Sequence, residues 1–289
     1  MIGALCSFSA MALAGRELSD VMSVAQLLFM RSAVGVLIIT FFISRNSWQL
    51  LKTQTPGLHL CRNLVHFGGQ FSWFYALAFL PLAELFALEF TTPIWCLLLA
   101  PLILGERVTP QRIISVLIGF VGILIILRPG IAIVSPAALI ALAGAVGFAM
   151  AYMLTKKLSD PNLPGGSHAP LTILFYMCLM QMLFSLIPAT QSWNTPEGIQ
   201  LLWILVVSVT SLSAHYCIAR AMQKADATLV VPMDFMRLPL IALLGYLLYD
   251  EQLELWVIIG AAIMLAGNYL NVSAEQKRLK RLTSEAVSN

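Results

Sequence analysis

The chain of 289 residues is 59% apolar and 11% charged, with a mean hydropathy of +0.86 and a formal net charge of +3. Soluble globular proteins are about 45–50% apolar and about 25% charged, so this composition excludes a soluble domain and calls for an all-α integral membrane protein in a lipid bilayer. It offers no charged surface for nucleic acid.

Ten apolar segments follow one another at 2–18, 24–43, 58–80, 82–104, 110–127, 136–155, 171–190, 198–219, 227–249 and 254–272, most of them near the roughly 20 residues that a membrane span needs. The first is the weakest, because only Met1 to Gly15 is uncharged before Arg16-Glu17. It is expected either to lie partly in the interface or to be clipped by its assigned start. With no basic stretch ahead of it, it reads as a retained span and not as a cleaved signal. Pro81, Pro110, Pro136, Pro170 and Pro196 stand at or near segment starts, where a missing N–H costs little. The longest connections are Ser44–Gly57 and Lys156–Ala169, too short to hide a domain. Five scattered cysteines, Cys6, Cys61, Cys96, Cys178 and Cys217, show no metal-like clustering and read as free thiols.

Basic residues set the expected orientation. With ten spans, one side receives Arg45, Lys52, Arg62, Arg107, Arg112, Lys156, Lys157, Arg220, Lys224 and the tail residues Lys277, Arg278, Lys280 and Arg281, while the other receives only Arg16 and Arg128. The basic side is cytoplasmic, so both termini are expected there, in the plasma membrane of a bacterium (its inner membrane).

A shift of 145 positions lays Glu89-Phe90 on Asp234-Phe235, Leu98-Leu99 on Leu243-Leu244, Glu106 on Glu251 and Gly122 on Gly267. Residues 1–130 and 131–272 thus read as two five-helix repeats followed by a basic tail, 273–289. Five spans is an odd number, so the second copy enters the membrane from the opposite side, as in the inverted repeats of secondary transporters.

Tyr75-Ala-Leu-Ala-Phe-Leu-Pro-Leu-Ala83, Pro93, Leu104-Gly105-Glu106 and Gly119-Phe-Val-Gly122, in that order and within a doubled chain, resemble the EamA family of the drug/metabolite transporter superfamily. The resemblance implies a ten-helix carrier for small metabolites with a cavity lined by helices 1, 3, 4, 6, 8 and 9. It implies export of amino acids or related compounds first, and import of a vitamin or nucleoside-like metabolite, of the riboflavin or S-adenosylmethionine type, as the alternative.

Ionised groups within spans are costly and tend to face partners or water; Arg31, Glu89, Asp234 and Arg237 are the four. Arg31 and Glu89 are each the eighth residue of a span running inward, roughly 10 Å deep at 1.5 Å per residue, so the two are placed to pair. Asp234 and Arg237, three apart, pair along one helix. Two readings stand for these groups: ion pairs that fix packing, or an acid, Glu89 before Asp234, that titrates with protons or meets a cationic group of the substrate. Pro93, Pro232 and Pro239 break the same two segments and free backbone carbonyls beside the acids. His66, Gln70 and Trp73 share one helical face, as do Ser208, Ser211 and His215, with Tyr216 adjacent and Trp95 and Tyr152 as further aromatic walls. Glu106 and Glu251 are expected to cap or gate and not to touch substrate. The row Ala137, Ala141, Ala145, Ala149 with Gly144 and Gly147 calls for close helix packing, in a monomer or a homodimer.

No HExxH, Walker A or GxSxG motif is present, so neither an enzyme nor a cofactor is expected. A channel or a non-transporting scaffold are the rival readings. A channel calls for rings of like charge, whereas these charges are single.

Overall fold

The computed structural model describes residues 1–106, 108–127, 135–163 and 168–251, and short pieces between 255 and 273. Arg107, Arg128, the repeat boundary near residue 130, part of the tenth segment, and the tail with Lys277, Arg278, Lys280 and Arg281 lie outside the described residues. All regular structure among those described is helical. The helices are α1 (Ile2–Ser19), α2 (Val24–Asn46), α3 (Pro56–Leu77), α4 (Leu82–Glu89), α5 (Thr92–Ile103), α6 (Pro110–Leu127), α7 (Pro136–Leu158), α8 (Pro170–Gln191), α9 (Ile199–Met222), α10 (Ala227–Val230) and α11 (Leu238–Tyr249).

Start signals sit where local chemistry requires them. Ser23 and Ser135 accept the N–H groups of Gln26 and Ala138, and prolines open α3, α7 and α8, each replacing a donor that a first turn leaves unpaired anyway. Val24–Asn46, Glu84–Ile103, Pro136–Leu158, Pro170–Gln191 and Ile199–Met222 are long and apolar enough to cross a membrane; Pro110–Ile125, Leu240–Tyr249 and Ile258–Gly267 are shorter apolar helices. The chain is an integral membrane protein. α1 is continuous, packs along α9, and buries Ala4, Phe8, Met11 and Ala12 in the main core.

α3 lies along α7 and α2 along α8. The first contact is backbone to backbone, since a Cβ on Gly147 would stand 2.9 Å from the Val65 carbonyl and one on Gly144 would stand 3.2 Å from that of Gly69. Gly144 and Gly147 of α7 permit that approach, while the Ala145 carbonyl faces Thr92 of α5.

Both proline-marked segments are broken. The fourth divides into α4 and α5 at Phe90-Thr91. Pro93 cannot supply the N–H that the Glu89 carbonyl would accept in a continuous helix, and the Thr92 hydroxyl donates to that carbonyl instead, at 2.5 Å. The ninth divides into α10, a 3-10 stretch Pro232–Arg237, and α11 with Pro239 in its first turn.

Contacts recur at the 145-residue spacing. Gly105 (φ +68) and Asp250 (φ +52) both adopt the left-handed conformation, which Gly enters freely and Asp with little strain. The next N–H then folds back, Glu106 onto the Ala100 carbonyl and Glu251 onto that of Gly245. Each glutamate side chain crosses to the other half: Glu106 Oε1 accepts the Ala227 N–H at 3.2 Å, and both oxygens of Glu251 lie 3.1 Å from the Leu82 N–H. A carboxylate at a helix N-terminus meets unpaired donors and the positive end of the dipole, so each capping contact stabilises the first turn of the facing segment. Cations cap the opposite ends. Arg16 donates to the Leu77 and Leu80 carbonyls at the end of α3, and Lys156 to those of Met222 and Ala225 at the end of α9. Gly122 approaches the Gly260 carbonyl and Met264 N, and Gly267 approaches the Ser115 carbonyl and Gly119 N.

Candidate functional site

The α4 break, the 3-10 stretch and the inner faces of α1, α3, α7 and α9 line a small central cavity. It is lined by Phe8, Met11, His66, Gln70, Trp73, Phe74, Glu89, Phe148, Tyr152, His215 and Arg237. In this conformation the side chains close around it and leave room only for something the size of water.

One end of the cavity is acidic. Arg237, 1% exposed, donates through Nη2 to Glu89 Oε1 at 2.7 Å and to Asp234 Oδ2 at 2.6 Å. Trp73 Nε1 donates to the other Glu89 oxygen at 2.7 Å. The guanidinium is also stacked among rings, 4.7 Å from the centroids of both Phe8 and Phe86, a favourable cation–π setting. One guanidinium therefore serves two carboxylates. The remaining oxygen of Asp234 and Nε of Arg237 are buried without a hydrogen-bond partner.

Two turns along α3, a second cluster contains no carboxylate. Arg31 donates through Nη2 to Gln70 Oε1 and Gln181 Oε1, each at 2.6 Å, and through Nη1 to Ser211 Oγ at 3.1 Å. Arg62 donates to Thr155 Oγ1 at 3.1 Å and to Asn63 Oδ1 at 2.7 Å. The hydrogen bonds fix the histidine tautomers. His215 Nδ1 lies 2.8 Å from the Ser211 carbonyl, which only accepts, so Nδ1 carries the hydrogen and Nε2 accepts. His66 Nε2, 3.1 Å from His215 Nε2, must then be the donor, which leaves His66 Nδ1 to accept from Gln181 Nε2 at 2.7 Å and Arg62 Nη1 at 3.3 Å. Both rings are neutral in this network.

The structure corrects several expectations. Arg31 and Glu89 do not pair: equal depth fixes height in the membrane but not direction, and α2 faces α8 and α9 while α4 faces α11. The partner of Glu89 is Arg237, which also makes the expected pair with Asp234. Tyr216 is 40% exposed, because the neighbour of an inward His215 lies about 100° further round the helix. Trp95 does not line the cavity; its ring packs on the main core, and its Nε1 is buried without a partner. Arg62, counted above among the residues of the basic side, lies inside the bundle at 4% exposure, as does Arg112, paired with Asp226 at 2.8 Å. Glu89, Arg237, His66, Gln70, Trp73, Tyr152 and His215 all line the cavity, with Arg31 and Asp234 one contact behind. Sequence reasoning missed Phe8, Met11, Phe74 and Phe148, which as single apolar residues carry no signal. It also missed Gln181, whose place amid the apolar run of α8 was a signal.

The model of the EamA-like transporter family matches residues 1–128 and 135–273. The chain is similar to an S-adenosylmethionine uptake transporter of Rickettsia felis, 27% identical over 253 residues that cover 88% of this chain and 83% of the relative. It is also similar to a riboflavin transporter of Vibrio cholerae, 32% identical over 251 residues covering 85% and 81%. A crystal structure of another protein covers 96% of both chains with a TM-score of 0.76 at 19% identity, a likeness of fold alone.

Proposed function

The chain belongs to the EamA-like transporter family of small-molecule transporters, and from that premise we propose that it is a secondary carrier importing an amphipathic metabolite across a bacterial inner membrane. The observation that carries the proposal is the closed cavity, where two ends of different charge meet aromatic walls between six of the expected spans. Such a pocket, apolar with a few convergent polar groups, suits a small ligand. The family resemblance in the sequence points first to export, but similar proteins include an S-adenosylmethionine uptake transporter, which supports import.

Alternating access follows from the recurring contacts. In this reading residues 1–130 and 131–272 are inverted five-helix repeats about an axis in the membrane plane, ten spans in all, with both termini cytoplasmic. Two separate family matches and the reciprocal Glu106 and Glu251 caps support it. The Leu82–Glu251–Arg16 contact then closes the outer mouth and the Ala227–Glu106 contact the inner one. Both are made here, so the state is occluded; breaking one at a time opens the cavity to one side. Protons are a candidate driving ion, through the two carboxylates that share Arg237.

Reconstituted proteoliposomes test this with labelled S-adenosylmethionine and riboflavin. Saturable counterflow of either is the expected result. A non-saturating conductance would make the protein a channel, and no flux of any metabolite offered would make it a scaffold.

A further inference from the structure

The acceptors that Gln70, Gln181, His66 and His215 bring to the Arg31–Arg62 cluster are occupied. Gln70 Oε1 and Gln181 Oε1 face Arg31, His66 Nδ1 faces Gln181 and Arg62, and His215 Nε2 faces His66. Donors remain. Among the described residues the Gln70 amide nitrogen and Arg62 Nη2 find no acceptor, and Gln70 lines the cavity. Arg16, Arg112 and Arg237 each hold a carboxylate, whereas Arg31 and Arg62, 3% and 4% exposed, have none among the described residues. Two buried guanidiniums amid neutral amides and imidazoles are expensive without a counter-charge. At the opposite end the imbalance is reversed: two carboxylates share one guanidinium, and Asp234 Oδ1 is a buried acceptor with no donor.

We infer that the substrate supplies what each end lacks: a carboxylate for the Arg31–Arg62 end, and a cationic or hydrogen-bond-donating group for the Glu89–Asp234 end. The inference rests on the carrier reading above and specifies its cargo as a zwitterion. His66 and Trp73 stand seven residues apart on α3, about 10 Å at 1.5 Å per residue, so a cargo bridging both ends is longer than a simple α-amino acid. A neutral flavin has donors for the Glu89–Asp234 end but no carboxylate for the Arg31–Arg62 end. Charge-assisted hydrogen bonds to a carboxylate are the stronger kind, so loss of that group weakens recognition sharply.

Counterflow in proteoliposomes bearing the full chain tests this with probes that differ only in the carboxylate: S-adenosylmethionine against its decarboxylated form, arginine against agmatine, and riboflavin as the neutral reference. The expected result is exchange of a carboxylate-bearing probe, with its decarboxylated counterpart competing at least tenfold less well, and loss of that preference in Arg31→Gln and Arg62→Gln. The comparison on the unaltered protein stands even where a variant fails to insert. Riboflavin exchange that no zwitterion inhibits, or equal competition by the decarboxylated forms, overturns the charge assignment and leaves the carrier intact. No exchange of any probe by inserted protein overturns the carrier reading and the assignment with it.

Discussion

Arg237 is the residue on which the acidic end depends. Its replacement by Ala leaves Glu89 and Asp234 buried with no cation, and removal of one partner from a buried pair costs about 3–5 kcal/mol. Arg237→Ala is therefore expected to reduce membrane-inserted protein severely. Arg237→Leu combined with Glu89→Gln and Asp234→Asn restores abundance, measured by fluorescence-detected chromatography, without restoring transport. Recovery of transport in that triple variant would return all three residues to a packing role. Glu89→Gln alone keeps an acceptor for Trp73 Nε1 and leaves Arg237 paired with Asp234; it is expected to retain counterflow and lose accumulation driven by a proton gradient. Unaltered accumulation would remove Glu89 from coupling. These residues were legible as ionised groups inside apolar runs, and the Asp234–Arg237 pair followed from their spacing. The identity of Glu89's cation was not legible, because it depends on which helices face one another, and no local pattern encodes that.

At the scale of elements, two devices set the geometry: close helix contacts and repaired breaks. Gly147→Ala places a methyl group 2.9 Å from the Val65 carbonyl, whereas Gly68→Ala meets nothing within 4 Å on the same partner helix, α3. Overpacking costs about 1–3 kcal/mol, so Gly147→Ala is expected to lower the thermal midpoint in detergent and Gly68→Ala to leave it unchanged or raise it. At the break, Thr92→Val removes the donor that serves the Glu89 carbonyl, and an unsatisfied buried acceptor costs about 1–3 kcal/mol. Adding Pro93→Ala returns a backbone N–H, so the double variant is expected to be more stable than Thr92→Val alone. It is also expected to transport less, because a continuous fourth span re-aims Glu89. Equal stability of the single and double variants would refute this account of the break. The prolines made both breaks legible in the sequence. The 3-10 form of the second was not, since it arises between two prolines that have no equally spaced counterparts in the first half.

For the whole molecule, the 145-residue offset in the sequence has a counterpart in the contacts. It pairs Glu106 with Glu251, Leu82 with Ala227 and Gly122 with Gly267, and the structure uses each pair in reciprocal contacts. Arg62 shows the limit of the charge count, since a basic residue near a span end serves orientation or the interior, and sequence position alone does not separate the two. The central claim is a single cavity reached from either face in turn. Thiol labelling of Met11→Cys, which lines that cavity, in a chain whose five native cysteines are replaced by alanine, tests it most directly. With a membrane-impermeant reagent applied to one face at a time, Glu251→Ala is predicted to make position 11 reactive from the face of Leu82, and Glu106→Ala from the face of Ala227. Reactivity from one and the same face in both backgrounds, or from neither, would contradict it.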